Sequence, residues 1–131
     1  MIVLGLNIFH ADTSAALIAN EKIIVAIEEE RFTKIKHYSG LPINAIEHCL
    51  NSSNINISEV DIIAVNYKSK YNFFQKIFFS FKNINFSTFN KIISLKQKNN
   101  VKNILEKKLN KKINAKIVYV PHHIAHISSS Y

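Results

Sequence analysis

Three short apolar runs at the start of the chain constrain its fold more than any other feature. They cover residues 2–9, 15–19 and 23–28, and only a few polar residues separate each run from the next. Runs of this length are typical of buried strands, and connections this short make consecutive strands antiparallel. The sequence therefore predicts an antiparallel three-stranded meander as the first unit of the fold.

The later apolar patterns extend this meander into an α/β fold. Pro42 is placed to open a helix that runs to about Asn51, and residues 62–65 and 116–120 read as further buried strands. The predicted order of elements is three strands, a helix, a strand, a helical insertion, a strand and a final helix. This is the order of the first half of a ribonuclease-H-like, actin-type (ASKHA) domain. We expect that fold.

Residues 67–112 differ in composition from the rest of the chain. Phenylalanines stand among lysines and asparagines without any glycine or proline, which predicts two or three irregular helices forming an insertion. Leu105, Leu109 and Ile113 give the last helix an apolar stripe. Aromatic rings between lysines also suit base stacking, so a small basic RNA-binding module is an alternative. An aromatic core under a lysine-rich surface is the favoured interpretation.

Length, charge and cysteine content limit the number of domains, the kinds of partner and the cellular location that this chain is expected to have. At 131 residues the chain is at most one domain, and no apolar run approaches the roughly 18 residues of a membrane span. The net charge of +8 comes from residues 62–131, which carry one acid and thirteen bases. This asymmetry fits contact with nucleic acid or other anions, and equally a lysine- and asparagine-rich composition. With no signal peptide and a single cysteine, Cys49, the expected location is the cytoplasm.

Two polar clusters follow predicted strands. The first contains His10, Asp12, Thr13 and Ser14 in the turn after strand one. An imidazole, a carboxylate and hydroxyls suit phosphate, metal or sugar chemistry, although many such turns are only solvated hairpin tips. The second cluster follows the last strand, and in it His122 and His126 stand at i and i+4 if a helix begins after Pro121. That spacing allows two imidazoles to reach one ion.

A charged segment separates the meander from the first long helix. Residues 28–37 contain three acids and then the bases Arg31, Lys34 and Lys36. Such a segment can be a solvated loop, but apolar residues interleave with the charges, and Gly40 and Pro42 define where the loop ends. By topology, the turn after strand one and the end of the last strand face one cleft.

Three segments together resemble a known family. They are residues 5–18 (GLNIFHADTSAALI), residues 27–42 (IEEERFTKIKHYSGLP) and residues 120–131 (VPHHIAHISSSY). Each resembles a segment of the carbamoyltransferases that carry out O-carbamoylation of nodulation factors and antibiotics. The three occur in the family's order, and only residues 67–112 have no counterpart.

The resemblance implies a reaction and a fold. Members of the family transfer a carbamoyl group from carbamoyl phosphate, with ATP, through a carbamoyl-adenylate to a substrate hydroxyl in natural-product or glycan biosynthesis. Their N-terminal domain is similar to the universal tRNA threonylcarbamoyl-transfer protein and has the actin-like fold. The implied partner is a small-molecule hydroxyl acceptor, with no membrane or nucleic acid involved.

The resemblance also assigns roles to residues of this chain. His122 and His126 correspond to ligands of a divalent metal, usually considered iron, with acidic ligands supplied from later in the family's sequence. His10 and Asp12 correspond to residues that approach the transferred carbamoyl group and are the catalytic candidates. Candidates for the substrate or nucleotide side are Ser14, Arg31, Lys36, His37 and His123.

The resemblance covers only the beginning of the family's sequence. Residues 1–131 are thus expected to be the N-terminal portion of the actin-like domain, with the adenylate-forming domain absent. Such a portion is expected to be inactive alone and to require the remaining part of the enzyme, in the same or a separate chain. A non-catalytic, partner-binding half-domain is the other alternative.

Overall fold

The described part of the chain is organised around one mixed sheet of five strands in the order β3-β2-β1-β4-β5. The computed structural model describes residues 1–66, 101–121 and 124–125, and the statements that follow concern those residues. The strands are β1 (Ile2–Asn7), β2 (Ser14–Ala19), β3 (Lys22–Glu28), β4 (Ile62–Val65) and β5 (Lys116–Tyr119). The helices are α1 (Glu30–Thr33), α2 (Ile43–Ser52) and α3 (Val101–Leu109), and a 3-10 turn covers Ile57–Glu59.

The predicted meander is present in this sheet. β1 pairs antiparallel with β2, and β2 pairs antiparallel with β3. β1 is two residues shorter than the apolar run that predicted it, because Phe9 adopts a left-handed backbone with φ of 57° and leaves the sheet. β2 and β3 are joined by Asn20 and Glu21, both with positive φ, as a tight two-residue hairpin of the type I′ class requires.

The last two strands complete the sheet in parallel. β4 pairs with β1, and β5 pairs with β4, both in parallel. The carboxyl ends of β1, β4 and β5 therefore lie along one edge of the sheet, here called the carboxyl edge. This strand order confirms the α/β, actin-type arrangement predicted from the order of the apolar runs.

One face of the sheet carries the hydrophobic core. Side chains alternate between the faces of a strand, and Leu4, Leu6, Leu17, Ile63 and Val65 on this face are at most 3% exposed. α2 packs against β2 and β3 through Ala45, Ile46, Cys49 and Leu50. Each fully buried side chain of Leu or Ile size contributes about 1.5–3 kcal/mol relative to an exposed position.

Cys49 packs as a small apolar residue, as expected from its neighbours. It is fully buried, and its Sγ donates to the carbonyl of Ala15 at 3.7 Å. Burial raises the pKa of the Cys49 thiol above its ordinary value, because the thiolate would lose its hydration. The thiol therefore stays protonated inside the core.

α3 lies within the segment predicted as an insertion. The predicted stripe is buried, since Leu105 is fully buried, Leu109 is 8% exposed and Ile113 is fully buried. These residues join the same core as α2 and the sheet, so this end of the segment is part of the main domain. Residues 67–100, on which the rest of the prediction falls, lie outside the described residues.

Two short elements were not predicted from the sequence. α1 is a single turn that ends at Lys34 in the left-handed conformation, and the 3-10 turn is held by a capping box between Asn56 and Glu59. The predicted first helix begins one residue late, with Pro42 as its N-cap. None of the helices in the described part of the chain has the length and apolarity needed to cross a bilayer.

Candidate active site

The turn between β1 and β2, residues 8–13, is held in shape by two polar side chains. Asn7 Nδ2 donates to the carbonyls of Ala11 at 3.3 Å and Asp12 at 2.8 Å. Thr13 Oγ1 donates to the carbonyl of His10 at 3.0 Å, and Thr13 is only 1% exposed. The first predicted polar cluster is thus an ordered turn at the carboxyl edge and not a solvated hairpin tip.

A second loop, residues 34–42, packs against this turn. The amide of Phe9 donates to the carbonyl of Gly40 at 2.9 Å, and the amide of Gly40 donates to Thr13 Oγ1 at 3.1 Å. The amide of Thr13 donates to the carbonyl of Tyr38 at 3.2 Å. The residues that follow the charged segment are therefore hydrogen-bonded to the β1–β2 turn.

The ring of Tyr38 lies over Gly40, where a side chain would meet it. A Cβ built on Gly40 would stand 2.8 Å from the Tyr38 hydroxyl and 2.9 Å from two ring carbons. No real Cβ approaches other atoms so closely without a shift of the surroundings. The glycine lets the second loop lie flat against the first turn.

A buried carboxylate ties both loops to the domain. Glu29 is only 2% exposed, and its side chain accepts hydrogen bonds from the backbone amides of Asn44 and Ala45 and from Asn44 Nδ2, at 3.2, 2.8 and 2.6 Å. Negative charge at the first turn of α2 also interacts favourably with the helix dipole. The amide of Glu29 donates to the carbonyl of Thr13 at 2.8 Å, so the same residue anchors the β1–β2 turn.

The two loops bring together an imidazole and a carboxylate that are distant in sequence. His37 Nδ1 lies 2.9 Å from Asp12 Oδ1. The Asp12 side chain is 51% exposed and that of His37 is 76% exposed, so both groups remain accessible from solvent. The sequence named both residues as candidates but did not predict that they pair.

Two asparagines connect the carboxyl ends of β1 and β4. Asn66 Nδ2 donates to Asn7 Oδ1 at 2.6 Å, and Asn66 Oδ1 accepts from the amide of Ile8 at 3.3 Å. Both side-chain amides are thereby fixed just beyond the carboxyl ends of two adjacent parallel strands. This is the position at which open α/β sheets bind ligands.

A cleft of about 850 Å³ lies on the sheet face opposite the core and reaches the carboxyl edge. Its floor is a row of small residues that are neighbours across four strands, namely Ala26, Ala16, Gly5 and Ala64. Its polar lining consists of Asn7, Ser14, Glu28, Arg31 and Asn66. The volume is within the range of small-molecule sites, and the small floor residues leave that space open.

The candidate residues named from the sequence divide into three groups. Ser14 and Arg31 line the cleft. His10 and Asp12 lie in the β1–β2 turn, with Lys36 and His37 in the loop packed against it. His122, His123 and His126 lie outside the described residues, and within the described part no group of three or more histidine, cysteine or acidic side chains could hold a metal ion.

Several site residues escaped the sequence analysis. Asn7 and Asn66 have ordinary polar side chains, and only their positions at the strand ends could have singled them out, whereas Thr13 was already part of the first polar cluster. Glu29 stands between two other glutamates, and nothing in the sequence distinguishes the buried one. The row of small residues becomes visible only once the strand register is known.

Comparison with known proteins identifies the family. The family described as "Carbamoyltransferase N-terminus" matches residues 2–131, which is nearly the whole chain. This chain belongs to that carbamoyltransferase family. The resemblance of the three sequence segments is therefore confirmed, and with it the assignment to the transferases.

Individual relatives match a smaller part of this carbamoyltransferase N-terminus. The nodulation protein NolNO of Sinorhizobium fredii is 40% identical over 58 residues, which is 44% of this chain and 8% of that protein. An uncharacterized protein of Synechocystis sp. is 39% identical over 61 residues, covering 47% of this chain and 10% of that protein. The chain thus matches about a tenth of the length of these relatives.

A solved structure and a shorter relative complete the comparison. An uncharacterized 19.2 kDa protein of Rhizobium etli is 40% identical over 58 residues, or 34% of its length. The structure of YeaZ from Pseudomonas aeruginosa covers 90% of this chain, with a TM-score of 0.42 and 14% identity, and 42% of YeaZ is matched.

Proposed function

We propose that this chain supplies the N-terminal part of an ATP-dependent O-carbamoyltransferase. The carbamoyl group would pass from carbamoyl phosphate, through a carbamoyl-adenylate, to the hydroxyl of a small molecule in natural-product or glycan biosynthesis. The match of residues 2–131 to the carbamoyltransferase N-terminus carries this proposal. The accessible polar cleft at the carboxyl edge supports it, because such clefts are where α/β sheets hold small ligands.

The described residues supply groups suited to these substrates. Arg31 lines the cleft and offers a guanidinium, which binds phosphate oxygens through paired hydrogen bonds. Asn66 Nδ2 donates one of its two hydrogens to Asn7 Oδ1, and its other hydrogen and the hydroxyl of Ser14 can orient a carbamoyl group from one side. The two loops beside the cleft, where the acceptor hydroxyl would enter, contain the candidates His10, Asp12, Lys36 and His37. His123 remains a nucleotide-side candidate.

A divalent metal, with iron as the expected ion, would be held by His122 and His126. Imidazoles one helical turn apart are a frequent ligand pair for such ions. The amide of Ala125 donates to the carbonyl of Pro121 at 3.0 Å, the hydrogen bond of a helical turn, which supports that spacing. When bound, the ion would supply a Lewis acid for polarising a carbonyl or phosphoryl oxygen.

The proposal also names what else the enzyme needs. The relatives are about ten times longer than the stretch they share with this chain, so we expect further polypeptide to supply the adenylate-forming domain and the remaining metal ligands. The expected partners are that polypeptide and a small-molecule hydroxyl acceptor. The expected location is the cytoplasm, where carbamoyl phosphate and ATP are available.

The reaction is tested on the polypeptide as its source cell makes it. The protein is incubated with ATP, and release of pyrophosphate is measured with and without carbamoyl phosphate. We expect release that depends on carbamoyl phosphate. Arg31→Met should leave this release in place and reduce transfer of the carbamoyl group to the hydroxyl acceptor, whereas Lys111→Met, at an exposed lysine beyond α3, serves as the charge-matched control. No carbamoyl-phosphate-dependent pyrophosphate from the unmodified protein would overturn the proposal.

The metal is tested separately by elemental analysis of the purified polypeptide. His126→Ala should lose the bound divalent metal, and His48→Ala, which removes an imidazole from α2, should keep it. Equal metal content in all three proteins would exclude His126 as a ligand.

A further inference from the structure

The pairing of Asp12 with His37 determines which ring nitrogen of the neutral imidazole carries the hydrogen. An ionised carboxylate can only accept hydrogen bonds. His37 Nδ1, which lies 2.9 Å from Asp12 Oδ1, must therefore carry the hydrogen and donate it. In the neutral ring the lone pair then resides on Nε2, and the 76% exposure of the His37 side chain leaves that nitrogen accessible.

The pair of Asp12 and His37 contributes little to the folding stability of the domain. Exposed ion pairs contribute little to folding because water competes for both partners. The two side chains are 51% and 76% exposed, so they meet that description. Their arrangement calls for another explanation.

Backbone strain is concentrated around the same pair. Eight non-glycine residues of the described chain have positive φ. Five of them occupy a tight hairpin or follow a helix end, where this conformation is usual, namely Asn20, Glu21, Lys34, Asn54 and Asn110. The other three are Phe9, Asp12 and His37, all in the two loops that face each other. Strained residues of this kind cluster at functional sites.

The pair is also anchored to the cleft. Asn7 lines the cleft, and its Nδ2 donates to the carbonyl of Asp12 at 2.8 Å. A single side chain therefore connects the cleft wall to the residue that holds His37. Asp12 is thus in contact with one residue of the cleft wall, and Ser14, two positions further along the chain, also lines the cleft.

We propose that His37 is the general base that removes the proton from the acceptor hydroxyl, and that Asp12 is the positioning residue that fixes its tautomer. This inference rests on the proposed carbamoyl transfer. The hydroxyl oxygen forms a bond to the carbamoyl carbon, and the bond from that carbon to the phosphate oxygen of the adenylate breaks. The hydroxyl proton passes to His37 Nε2, and AMP leaves with the electron pair of the broken bond.

The decisive experiment compares two acceptors that differ in their need for a base. The polypeptide as its cell makes it is given ATP and carbamoyl phosphate with either glycerol or hydroxylamine, and the carbamoylated products are measured by mass spectrometry. Hydroxylamine attacks mixed anhydrides at neutral pH without base assistance, whereas an alcohol needs its proton removed. His37→Gln should therefore lower glycerol carbamoylation about 100-fold and leave hydroxylamine carbamoylation within about twofold.

A matched histidine and a spectroscopic measurement complete the test. His48→Gln, which removes an imidazole on α2 that lies 5.5 Å from the Phe32 ring, should leave both products unchanged. In ¹⁵N NMR spectra, neutral His37 should carry its hydrogen on Nδ1, and Asp12→Asn should remove this preference and lower glycerol carbamoylation about tenfold.

Each outcome distinguishes this inference from the proposed function. Full glycerol carbamoylation by His37→Gln, or an equal loss of both products, would overturn the role of His37 while leaving the enzyme a carbamoyltransferase. Failure of the unmodified protein to carbamoylate either acceptor would instead refute the proposed function. If the unmodified protein carbamoylates hydroxylamine but not glycerol, the NMR measurement tests the role of His37. A hydrogen found on Nε2 of His37, both with and without Asp12→Asn, would overturn the pairing.

Discussion

The two turns of the meander contrast sharply in what holds them. Asn20 and Glu21 connect β2 to β3 by adopting two left-handed conformations, and both residues are exposed. The turn from β1 to β2 spans residues 8–13 and is held by side chains and backbone groups from outside itself. The conformation of the β2–β3 turn follows from the twist of its own two strands, whereas the conformation of the β1–β2 turn depends on tertiary contacts.

This difference has a functional consequence. The backbone of a two-residue hairpin is determined by the twist of its strands, so such a turn can place few functional side chains. The longer turn receives its shape from Asn7, Thr13 and Gly40, which leaves the exposed Asp12 available for another role. The following substitutions separate the two situations, from the largest expected effect to the smallest.

Replacing Glu29 by Ala should have the largest effect. The change removes the acceptor of two backbone amides and of Asn44 Nδ2, so stability should fall by about 2–4 kcal/mol. Hydrogen exchange should accelerate at the start of α2 and in the β1–β2 turn, but not at Asn20. Glu29→Gln, which keeps one carbonyl acceptor, should be milder, and uniform acceleration in both turns would contradict the contrast.

Gly40→Ala should destabilise the protein by about 1–3 kcal/mol because its Cβ collides with the Tyr38 ring. Gly5→Ala provides the matched control, since the nearest atom to its added Cβ is the carbonyl oxygen of Ala16 at 3.7 Å. Thermal denaturation of both variants measures the effect. Equal melting temperatures would show that the Tyr38 ring or the second loop moves aside at no cost.

Thr13→Val should cost about 1–2 kcal/mol, because the isosteric change removes a buried hydroxyl that donates to His10 and accepts from Gly40. Urea denaturation measures the loss, and Thr13→Ser, which keeps the hydroxyl, should recover most of it. If Val and Ser variants are equally stable, the hydroxyl does not hold the two loops together.

Glu21→Gly should have the smallest effect and the opposite sign. Glu21 has φ of 64°, where glycine is favoured, so the substitution should stabilise by about 0.5–1 kcal/mol. A rise in melting temperature checks this. Asp12→Gly relieves the same kind of strain in the other turn, and its gain should be similar because the exposed pair with His37 contributes little to stability. A loss of stability would show that the pair holds the turn.

Much of the fold could be predicted because its signals are local. The apolar runs located all five strands, the spacing of Ile46, Cys49 and Leu50 located α2, and Leu105 and Leu109 located α3. The strand ends were displaced by one or two residues where a conformation such as the positive φ of Phe9 intervened. The site was predicted only in part, since its chemical groups were recognised without their partners.

The sequence by itself determined the meander, the location of the two later strands and the position of polar residues after strands, because hydrophobic periodicity acts between near neighbours. Tertiary structure decided which of three consecutive glutamates is buried, since only Glu29 meets the amides at the start of α2. It also decided the floor of the cleft, which depends on register across four strands. The pairing of Asp12 with His37 depends on two loops 25 residues apart, and no local preference of either loop specifies their contact.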